Sequence, residues 1–477
     1  MLKKAMCGIF SLGLVLSFNM VTWAQSDAGQ AEIEALKQRV RELEEQNRAI
    51  VVTLQELKAQ LSEKHVQMVA RTDEAKEASE AAKEVKAAPT ALPQPPQKET
   101  KQDDVVRWKE LTPGGSRLQF YGFLRLDLIT DDSRPDGFQI PFFIQSEDPR
   151  VGVRNQSNFT LHPRLTRLGV DYLGPRIESL GNSGLGGKFE VDFQNGGRES
   201  RQIIRIRHAY LKMSWGAFSL LGGQTWDIIS PLYPTVNNDT LMWNAGNLGD
   251  RRPQIRLTYE PKVGAGTVSL VGGVGLTGAV DAQDLDNDGV RDGEASAKPN
   301  LQARIGYAHP LWNKQSKVSL GVSGHYAWEE TIRRVGGREG FRSQSLSLDY
   351  NLALHDRLAL QGEAWFGRNL SDFRGGIGQG INTGFGTEIR SRGGWAELAL
   401  KLSKYYSIYP GFTIDDPRDR DVANEGRVKN RAWYIVNRVR PGGPFLVGID
   451  YLRWTTDFKG LERGTDNRVN LYLQYSF

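Results

Sequence analysis

From Leu118 to Phe477 the chain reads as short segments in which every second residue is apolar. In "LQFYGFLRLDLI", Leu118, Phe120, Leu124, Leu126 and Leu128 share one face, and Gln119, Tyr121, Arg125 and Asp127 share the other. A period of two is a strand pattern with one greasy face and one wet face. About sixteen such segments follow one another: 118–129, 157–173, 185–195, 201–215, 218–226, 253–260, 266–276, 300–308, 316–328, 342–353, 357–367, 389–402, 404–413, 428–440, 444–455 and 467–477. Many have about ten residues, the length with which a tilted strand crosses a bilayer. Boundaries read this way shift by about 2–4 residues, so counts of fourteen or eighteen stay open.

The connections carry a second signal. With the first strand starting in the periplasm, the odd-numbered connections face outside, and they are long at 130–156, 227–252, 277–299, 368–388 and 414–427. The even-numbered ones are mostly short, such as "WGA", "SK" and "RPGGP". Long outside and short inside is the asymmetry of outer-membrane barrels. An even count returns the C-terminus to the periplasm, so "RVNLYLQYSF" reads as a closing strand. Val469, Leu471, Leu473 and Tyr475 then face lipid, while Arg468, Asn470 and Gln474 line water. The connection 227–252 leaves two readings: a segment folded inward that narrows a pore, or a plain external loop.

Two segments break phase. In "NFTLHPRLTRLGVDYL" the apolar set Phe159, Leu161 and Leu165 gives way to Leu168, Val170 and Tyr172. A bulge near Thr166 or Arg167 restores one greasy face and turns His162, Arg164, Arg167 and Asp171 to the other. "IIRIRHAYLKM" shifts similarly between Ile206 and Leu211.

The N-terminus has Lys3 and Lys4, then an apolar stretch to about Val21 and the small residue Ala24. That is a secretory signal peptide over 1–24, the alternative being a membrane anchor helix. Beyond it there is no run of about 18 apolar residues, so a membrane location requires strands. Over 28–70, Ile33, Leu36, Val40, Leu43, Ile50, Leu54, Leu57 and Leu61 form a heptad seam interrupted by Asn47. This predicts an α-helical oligomerisation coil about 60 Å long at ~1.5 Å per residue, or an amphipathic helix docked on its own chain. Residues 71–115 are rich in Ala, Glu, Lys, Pro and Gln, with Pro89, Pro93, Pro95 and Pro96, and read as a linker. The expectation is an all-β protein: a 16-stranded antiparallel transmembrane barrel over 116–477, preceded by the coiled coil.

Composition narrows the function. The formal charge of +5 over 477 residues is small and argues against a nucleic-acid partner. The one cysteine, Cys7, lies in the leader, which excludes a thiol nucleophile and disulfides from the processed chain. Neither HExxH nor GxSxG occurs, and the expectation is no enzyme and no required cofactor. The inner faces carry many charges, among them Arg125, Asp127, Arg164, Arg167, Asp171, Lys188, Glu190, Asp192, Arg205, Arg256, Arg304, Glu363 and Glu397. So many ions in a dry interior would each cost several kcal/mol, which points to a hydrated channel. Arginines dominate the first half: Arg125, Arg164, Arg167, Arg205, Arg207 and Arg256. Clustered guanidinium groups attract carboxylates; the alternative is that they pair with lumen acids and hold the wall together.

The stretches "FYGFLRLD", "RLTRLGVDY", "IRIRHAYLKM", "LLGGQTWD" and "RRPQIRLTYE" resemble the DcaP-like outer-membrane porins. The order of signal peptide, coil, linker and barrel is similar too. The resemblance implies a homotrimer of sixteen-stranded barrels in outer-membrane lipid with a periplasmic coiled coil. It implies uptake of small anionic solutes such as dicarboxylates, with Arg125, Asp127, Arg164, Arg167, Arg205, Arg207 and Arg256 lining the pore. It also implies that terminal Phe477 is the signal read by the barrel assembly machinery. The coil leaves open a contact with peptidoglycan, and with it a rival function as a structural tether of the envelope.

The fourth outside connection contains "DLDNDGVRDGE". Asp284, Asp286, Asp288 and Asp292 around Gly289 put hard oxygens at calcium-like spacing. The twelfth position is Ala295 and not Glu, so loop 281–294 reads either as a Ca2+ loop or as a solvated acidic turn.

Overall fold

In lipid every backbone N–H and C=O must be satisfied within the chain, so strands can cross only as a closed sheet. The computed structural model shows that closure. It describes residues 116–477 apart from 138–139, 153–154, 195–202, 237–239 and 313–315, together with Gln38, Glu110 and Leu111. The expected signal peptide and nearly all of the coil and linker lie outside the described residues.

Sixteen antiparallel strands form the barrel. They are β1 Arg117–Asp131, β2 in two pieces Asn158–His162 and Arg167–Ile177, β3 Ser183–Asp192, β4 Arg205–Trp215, β5 Phe218–Trp226 and β6 Arg251–Tyr259. Then come β7 Gly266–Gly275, β8 Asn300–Pro310, β9 Lys317–Val335, β10 Arg338–His355 and β11 Leu358–Arg368. The last five are β12 Arg390–Lys401, β13 Tyr406–Pro417, β14 Arg427–Val439, β15 Phe445–Phe458 and β16 Gly464–Ser476. All sixteen expected segments are present. The sheet closes through β1 and β16, in register from Phe123 opposite Ser476 to Asp131 opposite Arg468. Phe477 continues the ladder by exchanging backbone bonds with Gly122. A short strand, Glu110–Leu111, falls in the stretch read as linker and pairs with Leu118 and Gln119.

Connections after odd strands, here L1 to L8, gather at one end and the short turns at the other. L1 spans 132–157, L3 227–250, L4 276–299, L6 369–389 and L7 418–426. L5 differs from expectation. β9 and β10 run far past the usual membrane-crossing length and meet in a two-residue turn, Gly336–Gly337, with φ of 54° and 84°. Two positive φ values in succession define a tight hairpin turn that glycine reaches without steric cost. The rest of that expected loop is a polar β-overhang, which a pattern search for apolar alternation cannot see.

Outward side chains are apolar and exposed: Phe159, Leu161, Leu168, Ile206, Leu211, Ile255, Leu257, Leu473 and Tyr475. Inward tyrosines lie flat on glycines of the neighbouring strand. A Cβ at Gly411 would fall 2.1 Å from the Tyr434 ring, and one at Gly448 1.9 Å from the Tyr472 ring. Both Gly–Tyr pairs are directly opposed in register. This places large side chains in the lumen without forcing the strands apart.

Both phase breaks are real. The pieces of β2 are separated by residues 163–166, where Thr166 stands in for the missing ladder: its Oγ1 accepts from Arg125 N at 3.0 Å and donates to Arg125 O at 3.2 Å. The break restores Leu168 to the lipid face, but it leaves Leu165 buried, contrary to the expected apolar set. In β4 the register slips at Arg207, because Glu190 pairs with His208 and Val191 with Ile206. That bulge turns Arg207 and His208 inward together, and both are buried.

Replacing Thr166 by Val keeps the shape and removes both bonds. The buried Arg125 amide then lacks an acceptor, so unfolding in detergent should require about 1–3 kcal/mol less. A denaturant midpoint unchanged from wild type would show that the break holds without Thr166.

Candidate functional site

The lumen is divided by L3, which folds inward. Of the two readings of 227–252, the inward one is therefore correct. Its path is fixed by wall side chains from four strands. Gln302 of β8 accepts from Ile228 N at 2.7 Å, and Glu363 of β11 accepts from Leu232 N at 2.7 Å. Glu397 of β12 accepts from Thr235 N at 2.7 Å, and Arg438 of β14 donates to Thr235 O at 2.8 Å. Trp365 Nε1 donates to Gly246 O at 2.8 Å. Glu363 and Glu397, expected to line water, are buried and occupied by loop amides and a hydroxyl.

The loop's two ends are held by Arg252 at the start of β6, a residue not among the sequence candidates. Its guanidinium is fully buried and pairs with Asp227 at 2.6 Å and Asp372 of L6 at 2.7 Å. It also stacks over Phe373 at 3.9 Å. Asp372 in turn accepts from the amides of Gly278 and Val280 in L4. One cation thus ties together L3, L6 and, through Asp372, L4. The only hint in sequence was the adjacent pair Arg251–Arg252 after a long loop.

L1 and L3 pack on one wall. Ile144 of L1 and Val236, Met242 and Ala245 of L3 form a core with Ala432, Tyr434, Val436, Leu452 and Trp454 of β14 and β15. Loops cover this apolar part of the inner face, while Arg438 and Asp450 beside it form a buried ion pair. Arg468 and Asn470, expected to meet water, point inward but are buried.

The charged wall lies opposite in sequence, on β1 to β6. Arg125 makes a bidentate pair with Asp127, at 2.8 and 2.6 Å, and stacks on Tyr472. Arg205 pairs with Asp192 at 2.8 Å, while Arg207 joins Glu190 at 2.6 Å and Asp192 at 2.9 Å. Arg167 stands 3.6 Å from Glu190, with its Nε unbonded. Arg164 is buried. Arg251 packs over Trp226 at 4.2 Å and shares Asp250 with Arg374. Arg256 reaches only Gln254 and the Trp226 carbonyl, and no carboxylate among the described residues pairs with it. The arginines thus fall into two groups. Arg125, Arg205 and Arg207 hold the wall, whereas Arg167 and Arg256 keep guanidinium capacity to spare. On the β2–β6 side of L3, apart from the Arg252 pair, the five guanidinium groups of Arg167, Arg205, Arg207, Arg251 and Arg374 meet the three carboxylates of Glu190, Asp192 and Asp250, a net of two positive charges within that cluster.

In L4 the structure brings together Asp284, Asp286 and Asp292 but leaves Asp288 out of the group. A single helical turn, Asp292–Ala295, follows directly. Burial, with Asp286 and Asp284 alongside, pushes the Asp292 carboxyl up to about 6.

A closed sixteen-stranded antiparallel barrel with an apolar outer band is the architecture of an outer-membrane β-barrel. Among solved structures the chain is similar to the outer-membrane channel DcaP of Acinetobacter baumannii, with 18% identity and a TM-score of 0.59 over 76% of this chain and 97% of that one. It thus has a DcaP-like fold. Lower likenesses are to OmpT of Vibrio cholerae (13% identity, 77% of this chain and 100% of that one, TM-score 0.48). The anion-selective porin from Comamonas acidovorans stands similarly (13%, 76% and 100%, TM-score 0.47). No family model and no curated protein matches the chain.

Replacing Arg252 by Met would leave Asp227 and Asp372 buried without their cation, a loss of about 3–5 kcal/mol. The melting temperature of the folded barrel in detergent should fall accordingly; wild-type melting would show that the loops are anchored elsewhere.

Proposed function

We propose that the protein is a passive outer-membrane channel, not an enzyme, for small hydrophilic solutes, with a preference for anions such as dicarboxylates. The observation that carries this reading is the unbalanced guanidinium cluster beside the inward loop. Fixed positive charge in a confined aqueous path raises the local concentration of anions and repels cations. Arg167 and Arg256 can offer paired N–H groups to a passing carboxylate, because wall acids do not saturate them. Pairing of Arg125, Arg205 and Arg207 with neighbouring acids keeps those side chains rigid, so the path stays open.

The apolar outer band suits outer-membrane lipid, and the leader suits export. The heptad seam supports an oligomerisation coil, and the family resemblance supports a homotrimer with that coil in the periplasm, where peptidoglycan is a candidate contact. The same resemblance supports assembly by the barrel machinery through Phe477.

Single-channel recording in a planar bilayer under a salt gradient tests the reading. Stepwise conductance with anion-selective reversal is expected. Absence of steps would favour the envelope tether, and cation selectivity would remove the anion preference. Arg167→Ala and Arg256→Ala should each lower the anion-to-cation permeability ratio a few-fold, since a unit charge at ~4 Å is worth ~1 kcal/mol in water. Unchanged reversal potentials in both variants would contradict their role.

A further inference from the structure

Between 281 and 294, loop L4 carries Asp281, Asp284, Asp286, Asp288, Asp292 and Glu294 against the single base Arg291. One carboxylate oxygen from each of Asp284, Asp286 and Asp292 lies within 4.8 Å of the other two. Asp284 is oriented by the amides of Asp288 and Gly289, at 3.1 and 3.0 Å, and Asp292 by that of Leu285 at 3.1 Å. Asp286 is 8% exposed and Asp292 1%. Asp286 Oδ2 accepts from Arg333 N at 2.8 Å, but its Oδ1 is buried and meets no donor. Among the described residues no Lys or Arg side chain comes within ion-pair distance of these three carboxylates. Three acids converge, two of them buried and Asp284 partly exposed, and Asp286 Oδ1 among them has nothing to accept from. Such an arrangement needs a compensating cation.

We propose that Asp284, Asp286 and Asp292 bind one divalent cation of the calcium type. All-carboxylate oxygen donors suit a hard cation. Oxygens that all lie within 4.8 Å of one another can share one ion whose bonds are ~2.3–2.6 Å. Asp288 is not a ligand. Its Oδ1 accepts from Val290 N at 2.7 Å and shapes the turn at Gly289. The bound ion fastens L4 to the β9 overhang, since Asp286 is already tied to Arg333 there. L4 also meets L6 through Asp281 and Ser371 at 2.7 Å, and β9 through Gln283 and Glu329 at 3.0 Å. The cation therefore stiffens the long-loop end of the barrel without entering the charged wall.

The test uses the full chain, folded in detergent and stripped with chelator, titrated calorimetrically with CaCl2. One site is expected, with a dissociation constant of ~10⁻⁴–10⁻³ M or tighter, as in extracellular calcium modules. Calcium should also slow tryptic cleavage after Arg291, whose side chain is 44% exposed. Asp286→Asn and Asp292→Asn should each weaken binding roughly tenfold or more, while Asp288→Asn should not. Wild-type protein that gives neither binding heat nor protection would overturn the site. So would unchanged affinity in both ligand variants. Equal protection by MgCl2 at the same concentration would overturn the calcium assignment.

Discussion

The structure rests on one requirement: no backbone polar group may meet hydrocarbon without a partner. Closing β1 onto β16 removes the last free edge, from Phe123 opposite Ser476 to Asp131 opposite Arg468. Everything else follows from keeping that cylinder intact. The interruption at 163–166 is tolerated because Thr166 replaces the lost bonds to Arg125 with its own hydroxyl. The slip at Arg207 is tolerated because the ladder resumes at once, with Ile206 opposite Val191. Both irregularities lie on the wall where the arginines gather. There a bulge does what alternation cannot: it turns adjacent residues, Arg207 and His208, toward the same side.

A cylinder of sixteen strands is too wide to be filled by its own wall side chains. The loops divide that space chemically. On β14 and β15 they bring apolar residues, so Tyr434, Val436, Leu452 and Trp454 are dry. On β11 and β12 they bring backbone amides, and Glu363 and Glu397 accept them. On β3 to β6 the guanidinium groups of the wall and the acids beside them form their own network. A buried pair such as Arg252 with Asp227 and Asp372 gains little net energy against an apolar replacement, yet is costly to break. Its value is positional. It fixes where L3 begins and which part of L6 lies against it.

How much of this could be read from sequence follows from what each pattern records. Alternation records which residues meet lipid, and lipid selects side chains without reference to the lumen. The sixteen segments and the inward turn of Arg164 and Arg207 were therefore legible. The overhang of β9 and β10 was not, because outside the bilayer a strand needs no apolar face, and "EETIRRVGGREG" reads as loop. Nor was the partition of the arginines, which depends on cross-strand distances. Asp127 captures Arg125 because two residues on one strand share a face, whereas Arg256 finds only Gln254 at the same spacing. In L4 the spacing named four acids, but only three of them, Asp284, Asp286 and Asp292, come together; spacing alone does not show that Asp288 is turned to the amide of Val290.

The apolar inner face of β14 shows where a legible signal was misread. In "RAWYIVNRV", Trp433 and Ile435 face out while Ala432, Tyr434 and Val436 face in, so the segment is apolar on both sides. A strand wetted on one side has no reason for that composition; a strand covered on both sides has every reason. The same sequence therefore carried evidence that something packs inside the barrel at β14. The long connections with "IPFFI" and "LMWNAG" were the apolar candidates to do so. Taken together, the two features point to an inward loop: a doubly apolar strand demands a cover, and only an inward loop can supply it from within a closed cylinder, here L1 and L3 together.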